Sequence, residues 1–305
     1  MKYIDKNPLR GSFNEYTRAY LHEAYSDGTF IPKLKEITSY ANFRAKKYFK
    51  TSIPIGSEYE GWLDILLKEY NGRCCYCMRR IEREDVSVEH LVPESLPEGR
   101  EEEEYQYYAN YAPEIRTHVM TGNAFDKLVE ETDVDIDLHV KMPHLIAHSN
   151  LFPACNTKEY ACSCNNHRGN KRILPLMLMP DIEHKVEYTE QGLVELLYPE
   201  TTDMSVKNTI DALDINSNHL QAIRKLWYKF RRKAIYMEWN EDISFDKMDS
   251  SIRQALDLAP YEVIPLEYQD FTREDGGSLK NFSLFLKYNW FYSYYSNKYP
   301  INPQV

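Results

Sequence analysis

The sequence lacks a long apolar run, and no stretch reaches the roughly 20 residues that a membrane-spanning helix requires. It begins without the charged segment followed by an apolar segment that is typical of an export signal. No internal repeat and no low-complexity linker interrupts its 305 residues. These absences argue against membrane, exported and repeat proteins, and we expect a cytoplasmic protein with no membrane partner.

An excess of positive charge is also missing, because the formal net charge is −10. A nucleic-acid-binding protein neutralises phosphates, so an acidic chain starts at a disadvantage. The charge is uneven, however, since acidic residues concentrate at Glu101–Glu104 and basic residues surround the cysteine motifs. Four of these basic residues are the predicted nucleic-acid contacts: Arg79, Arg80, Arg168 and Lys171. This distribution of charge suggests local positive surfaces on an acidic protein. It also suggests that a partner contributes part of the binding to nucleic acid.

Cysteine is scarce, yet its six residues fall into two short stretches, 74–77 and 155–164. Cys74 and Cys77 have the CxxC spacing that supplies two zinc ligands from one tight turn. Cys155 with Cys162 or Cys164 supplies the second pair, whereas Cys75 is interpreted as a bystander. A disulfide framework is expected in shorter secreted chains. The sequence therefore predicts a structural zinc site, and ordinary buried cysteines are the alternative.

Histidine and acidic residues lie between the two clusters. The alternating, β-branched run from Val86 to Val92 predicts a strand that Pro93 ends, and it carries Glu89 and His90. A segment of 59 residues separates His90 from Asn150, which is too long for a structureless loop. We therefore expect an inserted helical segment over about residues 97–148. An imidazole that titrates near neutrality can take a proton from water, which makes His90 a candidate general base.

This arrangement resembles the HNH endonuclease family, whose site is a β-hairpin and a helix around one metal ion. The resemblance rests on Glu89-His90, on Asn150, and on the string from Cys164 to Gly169 that contains His167. It implies that His90 is the general base and that Asn150 orients His90 or its loop. It implies that Glu89 and His167 bind a catalytic Mg²⁺ or Mn²⁺, and Asn166 or Asn170 is the alternative to His167 as a ligand. It also favours Cys164 over Cys162 as the fourth ligand of a structural Zn²⁺.

A closer resemblance is to the HNH nucleases of bacterial anti-phage systems, the Septu and retron-associated type. It covers roughly residues 55–180, with a weaker signal from Ala212 to Asn216. It implies a nuclease that hydrolyses phosphodiester bonds in DNA as a defence effector, controlled by a partner ABC-type ATPase. The alternatives are an HNH nuclease that cleaves RNA such as tRNA, and a zinc-stabilised binding module that does not cleave.

The whole chain is predicted to be α+β, a mostly helical protein that carries a zinc-knotted ββα-metal core. We expect an N-terminal helical region (1–60), the nuclease core (61–180), and a C-terminal hairpin and helical region (181–305). The following segments are predicted as helices: Phe13–His22, Leu34–Tyr48, Tyr59–Tyr70, Ala124–Glu131, Asn218–Trp239 and Leu279–Tyr295. A hairpin is predicted from Val186 to Leu197. His144 and His148 are four residues apart, and we favour a supporting or surface role for them over metal binding.

Overall fold

The computed structural model describes residues 1–26, 43, 61–79, 81, 86–94, 99–131, 141–156, 164–218, 220–221, 224–225, 228, 294–295 and 298. Several predictions lie outside these residues and stay predictions. They concern the helix at Leu34–Tyr48, the contact residue Arg80, the alternative ligand Cys162 and most of the two C-terminal helices.

Two helices build the N-terminal side of the fold. They are α1 (Asn7–Ser26) and α2 (Trp62–Glu69), which confirms helices near the predicted positions. The ring of Phe13 in α1 packs edge-on against Trp62 in α2, with 5.8 Å between centroids. Gly72 follows α2 with φ of +64°, a conformation that glycine adopts without a steric penalty, so the chain turns there. The turn leads directly into the first cysteine pair.

The centre of the fold is an antiparallel strand pair followed by a short helix. Strand β1 (Val86–His90) pairs with the strand Leu151–Cys155, labelled β4 in chain order, with Val86 opposite Cys155 and His90 opposite Leu151. The helix Cys164–Arg168, labelled α6, comes next in the chain. The strand predicted from Val86 is confirmed, and its partner begins directly after Asn150.

The described part of the segment between these strands, residues 91–94, 99–131 and 141–150, is mostly helical, as predicted. It contains α3 (Glu101–Tyr111), α4 (Pro113–His118) and α5 (Gly122–Glu131). Pro113 opens α4 at a position where a helix leaves the backbone N–H unpaired in any case. Two short strands of the insertion, β2 (Val119–Met120) and β3 (Met142–Pro143), pair in parallel.

Beyond α6 the chain forms a second hairpin and another helix. Strands β5 (Val186–Tyr188) and β6 (Val194–Leu196) confirm the predicted hairpin. Helix α7 (Met204–Ala212) begins after Asp203, whose carboxylate accepts the N–H of Ser205 at 2.8 Å. Such a cap satisfies one of the donors that a helix start leaves unpaired.

The chain divides into two compact units. The first contains residues 1–185 and 196–214, and the second contains residues 186–195 and 215–305. Helices α1 and α2 pack together within the first unit, and the predicted division into three regions stays a prediction. The fold is α+β, a mixture of helices and small sheets, and the first unit contains a group of four cysteines. Within the part of the chain that is described, no helix is long and apolar enough to cross a membrane.

Candidate metal centre and adjoining histidine site

Four cysteine sulphurs converge in the first unit. The Sγ atoms of Cys74, Cys77, Cys155 and Cys164 all lie within 4.8 Å of one another, and all four residues are buried. Zinc bound at about 2.3 Å by four thiolates in a tetrahedron places the sulphurs about 3.8 Å apart. The Sγ atoms of Cys77 and Cys155 are 3.9 Å apart, which matches that spacing and greatly exceeds a disulfide bond. The residues present therefore fit a metal ion such as Zn²⁺.

Backbone hydrogen bonds shape this centre. A turn closes the first pair, since the N–H of Met78 donates to the carbonyl of Cys74 at 3.1 Å. The N–H of Cys75 donates to the carbonyl of Pro153 at 2.9 Å, which joins the turn to β4. Cys155 ends β4 and Cys164 begins α6. The metal centre thus connects the turn, the hairpin and the helix, and the sequence prediction of Cys164 as a ligand agrees with this geometry.

Cys75 lies outside the four-sulphur group although it is next to Cys74 in the chain. Its sulphur is not part of the group that could hold a metal ion, which agrees with the interpretation of Cys75 as a bystander.

His90 ends β1 and is buried, with 6% of its surface exposed. Burial lowers the pKa of its imidazole to about 4, so the ring is neutral at pH 7. Its Nε2 lies 3.0 Å from the carbonyl oxygen of Leu145. A carbonyl only accepts, so Nε2 carries the proton and Nδ1 carries the lone pair. The ring therefore has one tautomer, with a basic nitrogen on the side away from Leu145.

Asn150 is fully buried and its amide joins three segments. Its Oδ1 accepts the N–H of Val92 at 2.7 Å, and its Nδ2 donates to the carbonyl of Val92 at 3.1 Å. Nδ2 also donates to the carbonyl of His144 at 2.7 Å. Asn150 thus holds the chain that leaves β1 next to the segment that precedes β4. Its amide contacts the loop that follows His90.

His144 is a second buried histidine of this region. The N–H of Gly122 donates to its Nδ1 at 3.0 Å, so this nitrogen is unprotonated. Burial, with a smaller contribution from His90, lowers the pKa of His144 to about 3. The two histidines are therefore neutral neighbours whose tautomers are set by backbone groups. This placement agrees with a supporting role for His144.

Glu89 and Arg168 form a buried ion pair, so the arginine that was predicted to contact nucleic acid has its partners inside the fold. The two side chains are 3% and 1% exposed. The guanidinium of Arg168 donates to Oε1 of Glu89 and to the carbonyls of His90 and Leu91. The prediction treated every arginine near the cysteines as a surface charge, but this one is used inside the fold.

The predicted ligands of a catalytic metal fit only in part. Oε1 of Glu89 is occupied by Arg168, whereas its buried Oε2 has no hydrogen-bond partner among the described residues. His167 has a side chain that is 38% exposed, with its Nε2 3.6 Å from Oδ2 of Asp214. Within the described ranges, the four cysteines form the one group of three or more potential ligands. Glu89 offers one oxygen for a cation, and the rest of that shell stays a prediction.

Of the other predicted nucleic-acid contacts, the structure describes Arg79 and Lys171, and only Lys171 is exposed. Arg79 is buried, with 2% of its surface exposed, and its contact with nucleic acid stays a prediction. Lys171 is exposed and keeps its ammonium available to solvent. Less positive charge therefore reaches the surface beside the cysteines than the sequence suggests.

The sequence analysis did not predict a buried network of charged and polar side chains that consists of Lys6, Glu69 and His148. Nζ of Lys6 lies 3.1 Å from Oε2 of Glu69, and Nε2 of His148 lies 2.8 Å from Oε1 of the same carboxylate. Lys6 also donates to the carbonyl of Leu151 at 2.8 Å, and Leu151 is the residue opposite His90. A sequence signal for this contact is hard to define, because Lys6 and Glu69 are 63 positions apart.

Comparisons with family models, with curated proteins and with solved structures find no match to this chain.

Proposed function

We propose that this protein is a metal-dependent endonuclease of the HNH type, with His90 as the general base that activates water. The observation that carries the proposal is the placement of His90 at the end of β1, with Nε2–H held by the carbonyl of Leu145 and the lone pair on Nδ1. A general base must be unprotonated at the working pH and acts best when its pKa lies near that pH. Burial places the pKa of His90 lower, at about 4, so the ring is a weaker base in this structure than the sequence suggests. The order of strand, strand and helix around the cysteines agrees with the family that the sequence resembles.

The other residues of the proposal act around His90. Asn150 holds the loop after His90 through Val92, so it supports the base without taking part in proton transfer. A bound Mg²⁺ or Mn²⁺ would neutralise phosphate charge and stabilise the leaving 3′-oxygen. Oε2 of Glu89 is the described oxygen that remains for such a cation. Zn²⁺ at the four cysteines would have a structural role.

The substrate and the partner complete the proposal. We assign DNA as the substrate and an anti-phage defence role to the protein, following the resemblance of the motifs. The charge distribution supports dependence on a partner, for which we propose an ABC-type ATPase. The net charge is −10, and Arg79 and Arg168 are buried, so the protein offers little positive surface beside the cysteines. A partner that binds DNA would overcome this deficit.

A non-catalytic binding module is the second candidate, and one observation favours it. The acid and the arginine beside His90 are joined in a buried pair, an arrangement that also serves a purely structural core. In that case the cysteines would hold zinc and the surface would bind nucleic acid or protein without hydrolysis.

Plasmid cleavage tests the proposal. Wild-type protein is compared with His90→Ala and with His184→Ala, an exposed histidine that serves as the control. Each is assayed with Mg²⁺ or Mn²⁺, with and without the ABC-type ATPase that is proposed as the partner. We expect cutting that requires metal, that is lost in His90→Ala and that is kept in His184→Ala. Absence of cutting by folded, zinc-loaded wild type in every condition would refute DNA cleavage. An RNA substrate in the same assay then separates an RNA nuclease from a binding module.

A further inference from the structure

Arg168 holds the backbone at the candidate base. It ends α6 one helical turn after Cys164, so both side chains lie on the same face of the helix. Its Nη1 donates to the carbonyl oxygen of His90 at 2.6 Å, and its Nη2 donates to the carbonyl oxygen of Leu91 at 2.5 Å. One planar group therefore fixes two consecutive peptide units at the end of β1.

The same guanidinium joins three further segments. Its Nη1 meets the carboxylate of Glu89 in β1 and lies 3.5 Å from the hydroxyl of Tyr76 in the cysteine turn. Its Nη2 donates to the hydroxyl of Tyr108 in α3 at 3.0 Å. Its Nε donates to the carbonyl of Lys171 at 3.3 Å, which fixes the turn after α6. The metal centre, β1 and the insertion thus meet at one side chain.

The chemistry of these contacts requires arginine. A guanidinium presents five N–H donors in one rigid plane, and Arg168 uses all three of its nitrogens. A lysine ammonium is a single point with three donors and cannot span two consecutive carbonyls together with Glu89. Because Glu89 compensates the charge, the arginine can stay buried in the core.

We propose that Arg168 is a positioning residue for His90. By fixing the peptide units of His90 and Leu91 it directs the ring so that Nε2–H reaches Leu145 and the lone pair stays on Nδ1. It connects this geometry to the metal centre, because Cys164 and Arg168 are on one turn of α6. The importance of this positioning for cleavage rests on the proposed function, whereas its effect on the ring of His90 does not.

The test uses the full chain and a matched pair of substitutions. Arg168→Lys keeps the charge and removes the planar fork. Arg172→Lys makes the same change at a partly exposed arginine that binds Glu103 and Glu104 instead of β1. The readouts are zinc content, cleavage rate at saturating DNA with Mn²⁺, and ring ¹⁵N chemical shifts of histidine at pH 7.5. His90→Gln identifies the His90 signals.

We expect Arg168→Lys to bind zinc as the wild type does, to shift the His90 ring signals away from a pure Nε2–H tautomer, and to reduce the cleavage rate at least tenfold. Arg172→Lys should leave the His90 ring signals and the cleavage rate unchanged. A purely structural role for Arg168 predicts lower stability with an unchanged His90 ring in the folded protein. If Arg168→Lys keeps the wild-type ring signals and cuts within twofold of the wild-type rate, the positioning role is refuted.

A second variant covers the case in which Arg168→Lys does not fold. The double substitution Glu89→Gln with Arg168→Met removes both charges and leaves no uncompensated ion in the core. Only the ring chemical shifts of His90 are used to judge this variant. Its cleavage rate is not used, because Glu89 is also a candidate metal ligand. Altered ring signals in the folded, zinc-loaded double variant support the proposal, and wild-type signals overturn it. If wild type cuts no DNA, the proposal of a DNA nuclease fails while the ring signals still decide the role of Arg168.

Discussion

The side-chain amide of Asn150 pairs with both backbone groups of Val92 in the way that a neighbouring strand would. Oδ1 accepts the Val92 N–H at 2.7 Å, and Nδ2 donates to the Val92 carbonyl at 3.1 Å. Val92 lies two residues beyond His90, where β1 has already ended. A buried backbone that leaves a strand needs partners for its polar groups, and here one amide supplies both. Asn150 therefore stabilises the loop next to the candidate base.

Substitution of Asn150 by aspartate should destabilise the protein. The change replaces Nδ2 with an oxygen, which then faces the carbonyls of Val92 and His144 without a proton to share. Burial of unsatisfied acceptors, or of a charge, costs roughly 2–4 kcal/mol. We expect the free energy of unfolding, measured with urea at pH 7, to fall by about this amount.

Asn208→Asp is the control for this experiment. Asn208 lies on α7 and is exposed, so the same chemical change should alter stability by less than about 0.5 kcal/mol. Equal stability of Asn150→Asp and wild type would contradict the observed bonding of the amide. Normal stability with lost cleavage would indicate instead that Asn150 takes part in the reaction.

The four-cysteine centre should bind one zinc ion per chain, and Cys164→Ser should lose it. Serine is a poor zinc ligand, so three thiolates would remain from a tetrahedral set. We expect Co²⁺ substitution in wild type to give the absorption of tetrahedral thiolate coordination. In Cys164→Ser this absorption and the bound zinc should fall by more than tenfold.

Cys75→Ser provides the matched control, because Cys75 is equally buried and lies outside the group. It should keep stoichiometric zinc and the cobalt spectrum. Loss of zinc from Cys75→Ser together with retention by Cys164→Ser would refute the ligand set. Chelation of zinc from wild type should also lower the thermal midpoint, since the hairpin and α6 are joined through the metal.

Local patterns made much of the centre predictable. The CxxC spacing of Cys74 and Cys77 defines a turn by itself, and alternation from Val86 defines a strand. Gly72 and Gly169 follow their helices with positive φ, as glycine after a helix predicts. Each of these signals depends on a few adjacent residues, so tertiary packing does not overturn it.

Burial of the charged residues could not be predicted in the same way. Arg79 and Arg168 look like surface cations in sequence, yet both lie in the core. Charge alone gives no sign of this, because a buried cation depends on acceptors that other segments bring to it. For Arg168 these are Glu89, Tyr108 and the carbonyls of β1. The burial of His144 and His148 is also not visible in the sequence, for the same reason.

Lys6 and Glu69 should show strong coupling in a double-mutant cycle. Their side chains are 1% and 2% exposed, so Lys6→Met alone leaves a carboxylate without its counter-ion. Loss of one partner of a buried pair typically costs about 3–5 kcal/mol. We expect losses of this size for Lys6→Met and for Glu69→Gln. The double variant should lose less than the sum of the two single variants, as measured by urea unfolding.

An exposed ion pair gives the comparison. Lys207 and Asp211 lie on α7 at 2.7 Å, but both side chains are more than half exposed. Lys207→Met should therefore change stability by less than about 1 kcal/mol. If Lys6→Met proves as mild as Lys207→Met, Lys6 and Glu69 do not form a buried pair in solution.

Acid should destabilise the protein through its buried histidines, and His148 allows the sign to be worked out. Burial lowers the pKa of His148 to about 4, from 6.5 for a solvated imidazole. Between these values the unfolded chain binds the proton and the folded chain does not. The stabilising contribution of the neutral ring is therefore complete above pH 6.5 and is lost as the pH falls towards 4. A shift of this size corresponds to roughly 2–4 kcal/mol.

Glu69 extends the loss to lower pH. Burial raises its pKa, but Lys6 and His148 lower it more, so the net pKa lies below the usual value of 4.5. A carboxylate with a lowered pKa stabilises the fold above its unfolded pKa and ceases to do so as it is protonated. Stability should hence decline first through the histidines and then, below pH 4.5, through Glu69.

His148→Gln separates this contribution from the others. Glutamine keeps a donor for the carboxylate of Glu69 but does not titrate, so unfolding free energy should depend less on pH between 6.5 and 4. His90 and His144, whose pKa values burial also lowers, should account for the slope that remains. His184→Gln, at an exposed position, should leave the wild-type slope unchanged. A wild-type slope in His148→Gln would mean that His148 is protonated in the folded protein, and its contact with Glu69 would then be an ion pair.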